Sequence, residues 1–126
     1  MQIDSQLQVA GLAPYVNALL AQSAKKIHSI NQSWSPNAGA PVFTSGGKYT
    51  SRGWTEWTQG FQFGSAILQF DATGEKEFLE IGRNRTVELM APHITHTGVH
   101  DHGFNNVSTY GNLLRLMGEG LIAAND

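Results

Sequence analysis

The stretch Gly60-Phe61-Gln62-Phe63-Gly64-Ser65-Ala66-Ile67-Leu68-Gln69-Phe70-Asp71-Ala72-Thr73-Gly74-Glu75-Lys76-Glu77-Phe78-Leu79 runs one helical pattern into a short stop and begins another. Phe61, Gly64, Ile67, Leu68 and Asp71 predict a helix from about Gly60 to Ala72. Thr73-Gly74-Glu75 ends it, and Phe78, Leu79, Gly82, Val87 and Met90 mark the inward face of a second helix from about Lys76 to Met90, closed by Pro92. A turn this short makes the two helices antiparallel neighbours, so the stretch is an αα-hairpin. Gly60, Gly64 and Gly82 each lower helix propensity, and close approach of another helix or a ligand is the expected compensation.

Upstream, Leu7, Leu12, Tyr15, Val16, Leu19, Leu20, Ala24 and Ile27 follow a helical period from about Asp4 to Ile30. Gly11 with Pro14 is expected to split it into a short piece and a longer helix, with Lys25 and Lys26 at the negative end of the dipole. Residues 31–53 are rich in Ser, Gly, Pro and Asn and predict a long loop holding at most one short strand. Downstream, a second loop from Pro92 to Asn105 leads to a last helix capped by Asn106 or Ser108, with Tyr110, Leu113, Leu114, Met117, Leu121 and Ile122 as its apolar positions. That pattern is still helical at Asp126, which reads as a piece of something larger. The fold class is all-α: helical hairpins joined by chemically rich loops.

Composition removes several function classes. Across 126 residues, 8 Lys plus Arg stand against 10 Asp plus Glu, and no basic run is interleaved with aromatics, so a nucleic-acid partner is not expected. Zero cysteines exclude disulfides, thiolate nucleophiles and cysteine-based metal sites. No apolar run is long enough to span a membrane, and Met1-Gln2-Ile3-Asp4 has no signal-peptide character. There is no Gly-x-Ser-x-Gly elbow and no glycine loop for phosphate.

Chemistry gathers at two places. Trp54, Trp57, Phe61 and Phe63 surround Glu56, and flat rings beside acids and amides suit a pocket that covers the apolar face of a pyranose. Aromatics at helical spacing also serve cores, so Phe61 is assigned to the core and at least one of Trp54 and Trp57 to the pocket. The loop His93-Ile94-Thr95-His96-Thr97-Gly98-Val99-His100-Asp101-His102 holds four of the five histidines. Its spacing is not that of a zinc helix and lacks the HExxH glutamate, so a hydrogen-bonded polar loop is expected and no metal.

Asp101 is the best catalytic candidate. Burial raises a carboxyl pKa and nearby imidazolium lowers it, so Asp101 could donate a proton to a leaving oxygen or a carbon–carbon double bond, or as carboxylate orient water. The alternative is that Asp101 caps the turn before the last helix. Glycoside chemistry generally uses two carboxyl groups, and Glu56 is the internal partner considered for Asp101.

Three segments, Trp57-Thr58-Gln59-Gly60-Phe61-Gln62-Phe63-Gly64, Ala72-Thr73-Gly74-Glu75-Lys76-Glu77-Phe78 and His100-Asp101-His102-Gly103-Phe104, together resemble the unsaturated glucuronyl and unsaturated rhamnogalacturonyl hydrolases of the six-hairpin glycosidases. The likeness covers roughly Arg52 to Met117. It implies an (α/α)6 barrel, a bacterial source and a substrate with an unsaturated uronic acid at its non-reducing end, as a polysaccharide lyase leaves it. Asp101 matches the aspartate of the family's His-Asp-x-Gly-Phe loop, His100 its preceding histidine and Trp57 the tryptophan before the Thr-x-Gly-Phe segment; Trp54 and His102 join the substrate-binding set.

The family's principal acid is another aspartate, on a later helix, which hydrates the C4–C5 double bond. The chain thus corresponds to an N-terminal portion, residues 1–126 of one catalytic domain, inactive alone and partnered by the rest of the barrel. No cofactor is implied, and the compartment is bacterial cytoplasm or periplasm. His102 replaces an apolar residue of the family loop, and Asn105-Asn106-Val107-Ser108-Thr109 is more polar than the usual continuation. The competing readings are another helical-barrel glycosidase or lyase for different uronides, and a non-enzymatic sugar-binding helical module.

Overall fold

The computed structural model describes residue 6 and residues 8–124. The expected helix start near Asp4, the apolar Leu7 and the terminal Asp126 lie outside them. The protein is an all-α domain of packed helices carrying one small β-hairpin. Its elements are α1 (Val9–Ser33), a 3-10 turn (Pro36–Ala38), β1 (Ala40–Ser45), β2 (Lys48–Arg52), α2 (Thr58–Thr73), α3 (Lys76–Leu89), α4 (Pro92–Thr95), α5 (His102–Asn106), a π-helical turn (Val107–Gly111) and α6 (Asn112–Gly118). The last three follow one another without a break, forming a single helical rod with a π-bulge inside it.

The hairpin of α2 and α3 forms as its sequence predicts. Gly74 takes a left-handed conformation (φ 74°), its N–H bonds the Phe70 carbonyl at 2.7 Å, and α3 starts two residues later. On one side of α2, Ile67 packs with Leu79, Leu113, Leu116 and Ile122; on the other, Ala66 packs with Phe78 and Ile27. Phe78, Ile67 and Leu116 are fully buried, and each such side chain stabilises the fold by about 1.5–3 kcal/mol relative to exposure. The central helix is therefore α2, with α1, α3 and the last rod around it.

The structure corrects several expectations. Pro14 does not split α1: a proline near the start of a 25-residue helix removes a single N–H, and the rest of the ladder closes around it. Because α1 continues to Ser33, Lys25 and Lys26 lie before its last turn. Residues 31–53 are not a loop but hold two strands, paired antiparallel from Ala40↔Arg52 to Ser45↔Lys48 through a Gly46-Gly47 turn with both φ positive (56° and 75°). That is the geometry of a two-residue hairpin turn whose twist suits the strands. Trp34 pins the hairpin, its indole N–H bonding the Gly39 carbonyl at 2.9 Å.

Several expected apolar positions face solvent, among them Phe61, Leu68, Val87 and Leu114 at 45, 50, 67 and 71 % exposed. The polar Gln69, Thr86 and Thr109 are buried instead. Their bonds explain it: Gln69 donates to the Leu20 carbonyl, tying α2 to α1, while Thr86 and Thr109 donate to carbonyls one turn back. The last helix starts at His102, earlier than expected, and stops at Gly118 rather than running on. Gly120 has φ 73°, its N–H bonds Met117 O at 3.1 Å and Leu121 N–H bonds Leu116 O at 2.9 Å, a Schellman stop that folds Ile122 back into the core.

Candidate functional site

The last rod comes close to α2 because two glycines let it. A Cβ on Gly60 would overlap Asn105 Cα, and one on Gly64 would stand 2.5 Å from the Ser108 carbonyl oxygen. With backbones this near, the buried Asn105 reaches the first turn of α2 and the residues leading into it. Its Oδ1 accepts from Gly60 N–H at 2.8 Å and its Nδ2 donates to the Glu56 carbonyl at 3.1 Å. Asn106, next in the chain, donates to the His93 carbonyl at 2.9 Å. The π-bulge follows directly, an interruption that costs helix regularity and recurs at functional sites.

Against this amide lies a chain of imidazoles. His93 Nδ1 is 3.2 Å from Asn105 Nδ2 and 2.8 Å from His102 Nδ1; His102 Nε2 is 2.6 Å from His96 Nδ1. His93 and His102 are buried and His96 is exposed, so the chain runs from the interior to the surface. Trp54 covers it, stacked on His102 at 5.5 Å and 15° and edge-on to His93 and His96. Burial first, then the neighbouring His102 and His96, lowers the His93 pKa to about 4. Burial and His96 lower that of His102, and Asp101 opposes them.

His102 gives one ring nitrogen to each neighbour, so the imidazoles face one another in sequence and not a common centre. Among the described residues, no three His, Asp or Glu side chains converge as ligands of one metal ion.

Beside the chain is an exposed aromatic face. Trp57 meets Phe61 edge-on at 5.3 Å, and Phe104 lies 6.4 Å from both rings. Phe61, assigned to the core from sequence, belongs to this face because α2 turns its Ile67 and Phe63 side inward. Asp101 is one helical turn from Phe104, whose N–H bonds the Asp101 carbonyl at 3.0 Å. The Asp101 side chain makes no cap bond to α5; its carboxylate, 32 % exposed, lies 3.5 Å from His100 Nε2, and His100 is almost fully exposed.

Of the residues singled out from sequence, Asp101, His100 and Trp57 therefore share a neighbourhood with Phe104. Trp54 and His102 stack together just behind it, and the buried His102 has both ring nitrogens engaged within the protein. Glu56 enters through its backbone carbonyl. His93, His96 and Asn105 received no role from sequence. The density of histidines in the loop was the signal, but their partners come from α2 and the π-bulged rod. No protein-family model, curated protein or solved structure matches the chain.

Proposed function

We propose that this chain is the N-terminal portion of an (α/α)6-barrel hydrolase that removes an unsaturated uronic acid from the non-reducing end of lyase-generated oligosaccharides. The observation that carries the reading is that the part-buried Asp101 stands one helical turn before Phe104, whose ring joins the exposed rings of Trp57 and Phe61. Rings of this kind cover the apolar face of a pyranose, while acids and imidazoles meet its polar edge.

In this reading the C4–C5 double bond takes a proton at C4 as water adds its oxygen to C5 and releases a proton to a carboxylate. The resulting hemiketal at C5 opens to a ketone, which leaves a hemiacetal at C1; this collapses to an aldehyde as the sugar at the reducing side leaves as an alcohol. The principal acid is an aspartate on a later helix of the barrel, outside this chain. Asp101 assists it, His100 binds the uronate end and Trp57 is the platform, with Trp54 and His102 backing the same face. The exposed apolar residues Leu12, Val16 and Leu19 on α1, and Ile94, Val107 and Leu114 around the last rod, support the barrel, since its remaining helices would cover them.

The full natural chain, given unsaturated and saturated uronyl disaccharides of the same linkage, is expected to consume only the unsaturated members, seen as loss of their ultraviolet absorbance. Equal turnover of saturated members would replace this reading with a different helical-barrel glycosidase. Binding of disaccharides with no turnover would replace it with a sugar-binding module.

A further inference from the structure

The positions of the hydrogens in the imidazole chain follow from one amide. Asn105 cannot flip, because Gly60 N–H requires its oxygen on one side and the Glu56 carbonyl requires its nitrogen on the other. The nitrogen that faces His93 Nδ1 at 3.2 Å is then a donor, so His93 Nδ1 is an acceptor and the proton of the neutral ring sits on Nε2, which is buried without a partner in the protein. His102 Nδ1, 2.8 Å away, shares that single lone pair with the amide and carries its own hydrogen, which leaves His102 Nε2 bare. His96 Nδ1, 2.6 Å from His102 Nε2, must in turn donate, which leaves His96 Nε2 bare. Each ring's choice is fixed by the ring before it.

His96 is an exposed residue. A Cβ on Gly98 would stand 2.8 Å from His96 Nε2 and 2.5 Å from Cε1, so a side chain there would crowd the edge that carries Nε2. An ordinary surface histidine offers either a donor or an acceptor as its ligand requires. Here reversing His96 alone would set two bare nitrogens against each other at His102, and reversing all three rings would set the His93 N–H against the Asn105 N–H.

We propose that Asn105, His93, His102 and His96 form a tautomer lock that presents Nε2 of His96 as a hydrogen-bond acceptor for a hydroxyl group of the bound saccharide. The saccharide rests on the function proposed above; the lock rests on this geometry alone. An enforced acceptor selects a hydroxyl and disfavours an ether or carboxylate oxygen at the same place, because two acceptors facing each other leave both unpaired. Thus His96 is a specificity-determining residue, and Asn105, His93 and His102 are its positioning residues.

The test has two arms on the full natural chain. In the first, ring-nitrogen NMR spectra without ligand, recorded above pH 6.5, are expected to show His102 and His96 protonated at Nδ1 and His93 at Nε2. Asn105→Asp, which puts an acceptor opposite His93, is expected to reverse all three. Wild-type spectra with His102 or His96 protonated at Nε2 overturn the lock, whether or not the variant folds.

In the second arm, calorimetry measures an unsaturated uronyl disaccharide and its monodeoxy derivatives. His96→Phe, which keeps the ring against Trp54 but removes the acceptor, is expected to weaken the parent about tenfold, as loss of one hydrogen bond does. One monodeoxy derivative is expected to bind wild type and variant alike. Equal loss for every derivative, or no loss for the parent, overturns the hydroxyl role. Absence of binding by any disaccharide to wild type overturns the saccharide assignment and the proposed function together, while the NMR result still decides the lock.

Discussion

Asn105 has no exposed surface and no charge, yet five polar groups depend on it: one backbone group before α2, one in its first turn and three imidazoles in series. His93 gives this arrangement a measurable pH dependence. Its pKa falls from 6.5 to about 4 on folding, so between those values the unfolded chain binds more protons than the folded one. The contribution is complete above pH 6.5 and is lost as pH falls toward 4, amounting to at most about 3 kcal/mol. Melting temperature is expected to drop across that window, and a His93→Gln variant to show a flatter profile there; identical profiles would contradict the burial of a neutral His93. At the exposed end, Gly98→Ala is expected to leave melting unchanged and weaken ligand binding by about tenfold, the effect of covering one hydrogen-bonding nitrogen. Sequence made the density of histidines visible, and it put Asp101 and His100 beside each other. It did not reveal the order of the imidazoles, because the amide that sets their order reaches them only through the approach of the last rod to α2.

Among the elements, α2 carries the most information, since its outer side presents Phe61 and its inner sides meet α1, α3 and the last rod. Helical spacing and the Thr73-Gly74-Glu75 stop were enough to read the α2–α3 hairpin, because a local turn fixes neighbouring helices without help from distant contacts. Spacing was not enough to say which side faced inward. Phe61 and Leu68 are apolar but exposed, while Gly60, Gly64 and Gln69 are buried, since the rod and α1 pack on the small residues and bond the amide. The β-hairpin was hidden for a different reason: its strands are polar and mostly exposed, so the alternation that marks a half-buried strand is missing. Gly64→Ala is expected to cost about 1–3 kcal/mol, because the new methyl meets a backbone carbonyl that moves only with the whole rod. Urea denaturation checks this, and a change under 0.5 kcal/mol, as at an ordinary surface position, would contradict the close approach. Ile67→Ala, emptying a fully buried position between α3 and α6, is expected to cost about 2–5 kcal/mol in the same experiment.

At the scale of the molecule, the helices surround α2 on one side of the structure, while the first half of α1 stands largely in solvent with Val9, Tyr15, Val16 and Leu19 exposed. The proposed barrel accounts for those side chains as contacts for further helices. Val16→Ser is therefore expected to leave residues 1–126 within about 0.5 kcal/mol of wild type and to destabilise the full natural chain by more than that. Equal effects in both would mean that nothing covers α1. Among the described residues no helix is long and apolar enough to cross a membrane. Asp101, one helical turn before Phe104 of the Trp57–Phe61–Phe104 face, is proposed to take part in hydrating an unsaturated uronide. The most direct test compares wild type and Asp101→Asn, both as the full natural chain, for loss of ultraviolet absorbance from unsaturated uronyl disaccharides, with melting temperatures measured alongside. The account predicts wild-type turnover and a variant slowed on the order of 100-fold at unchanged melting temperature; equal turnover by both proteins would contradict it.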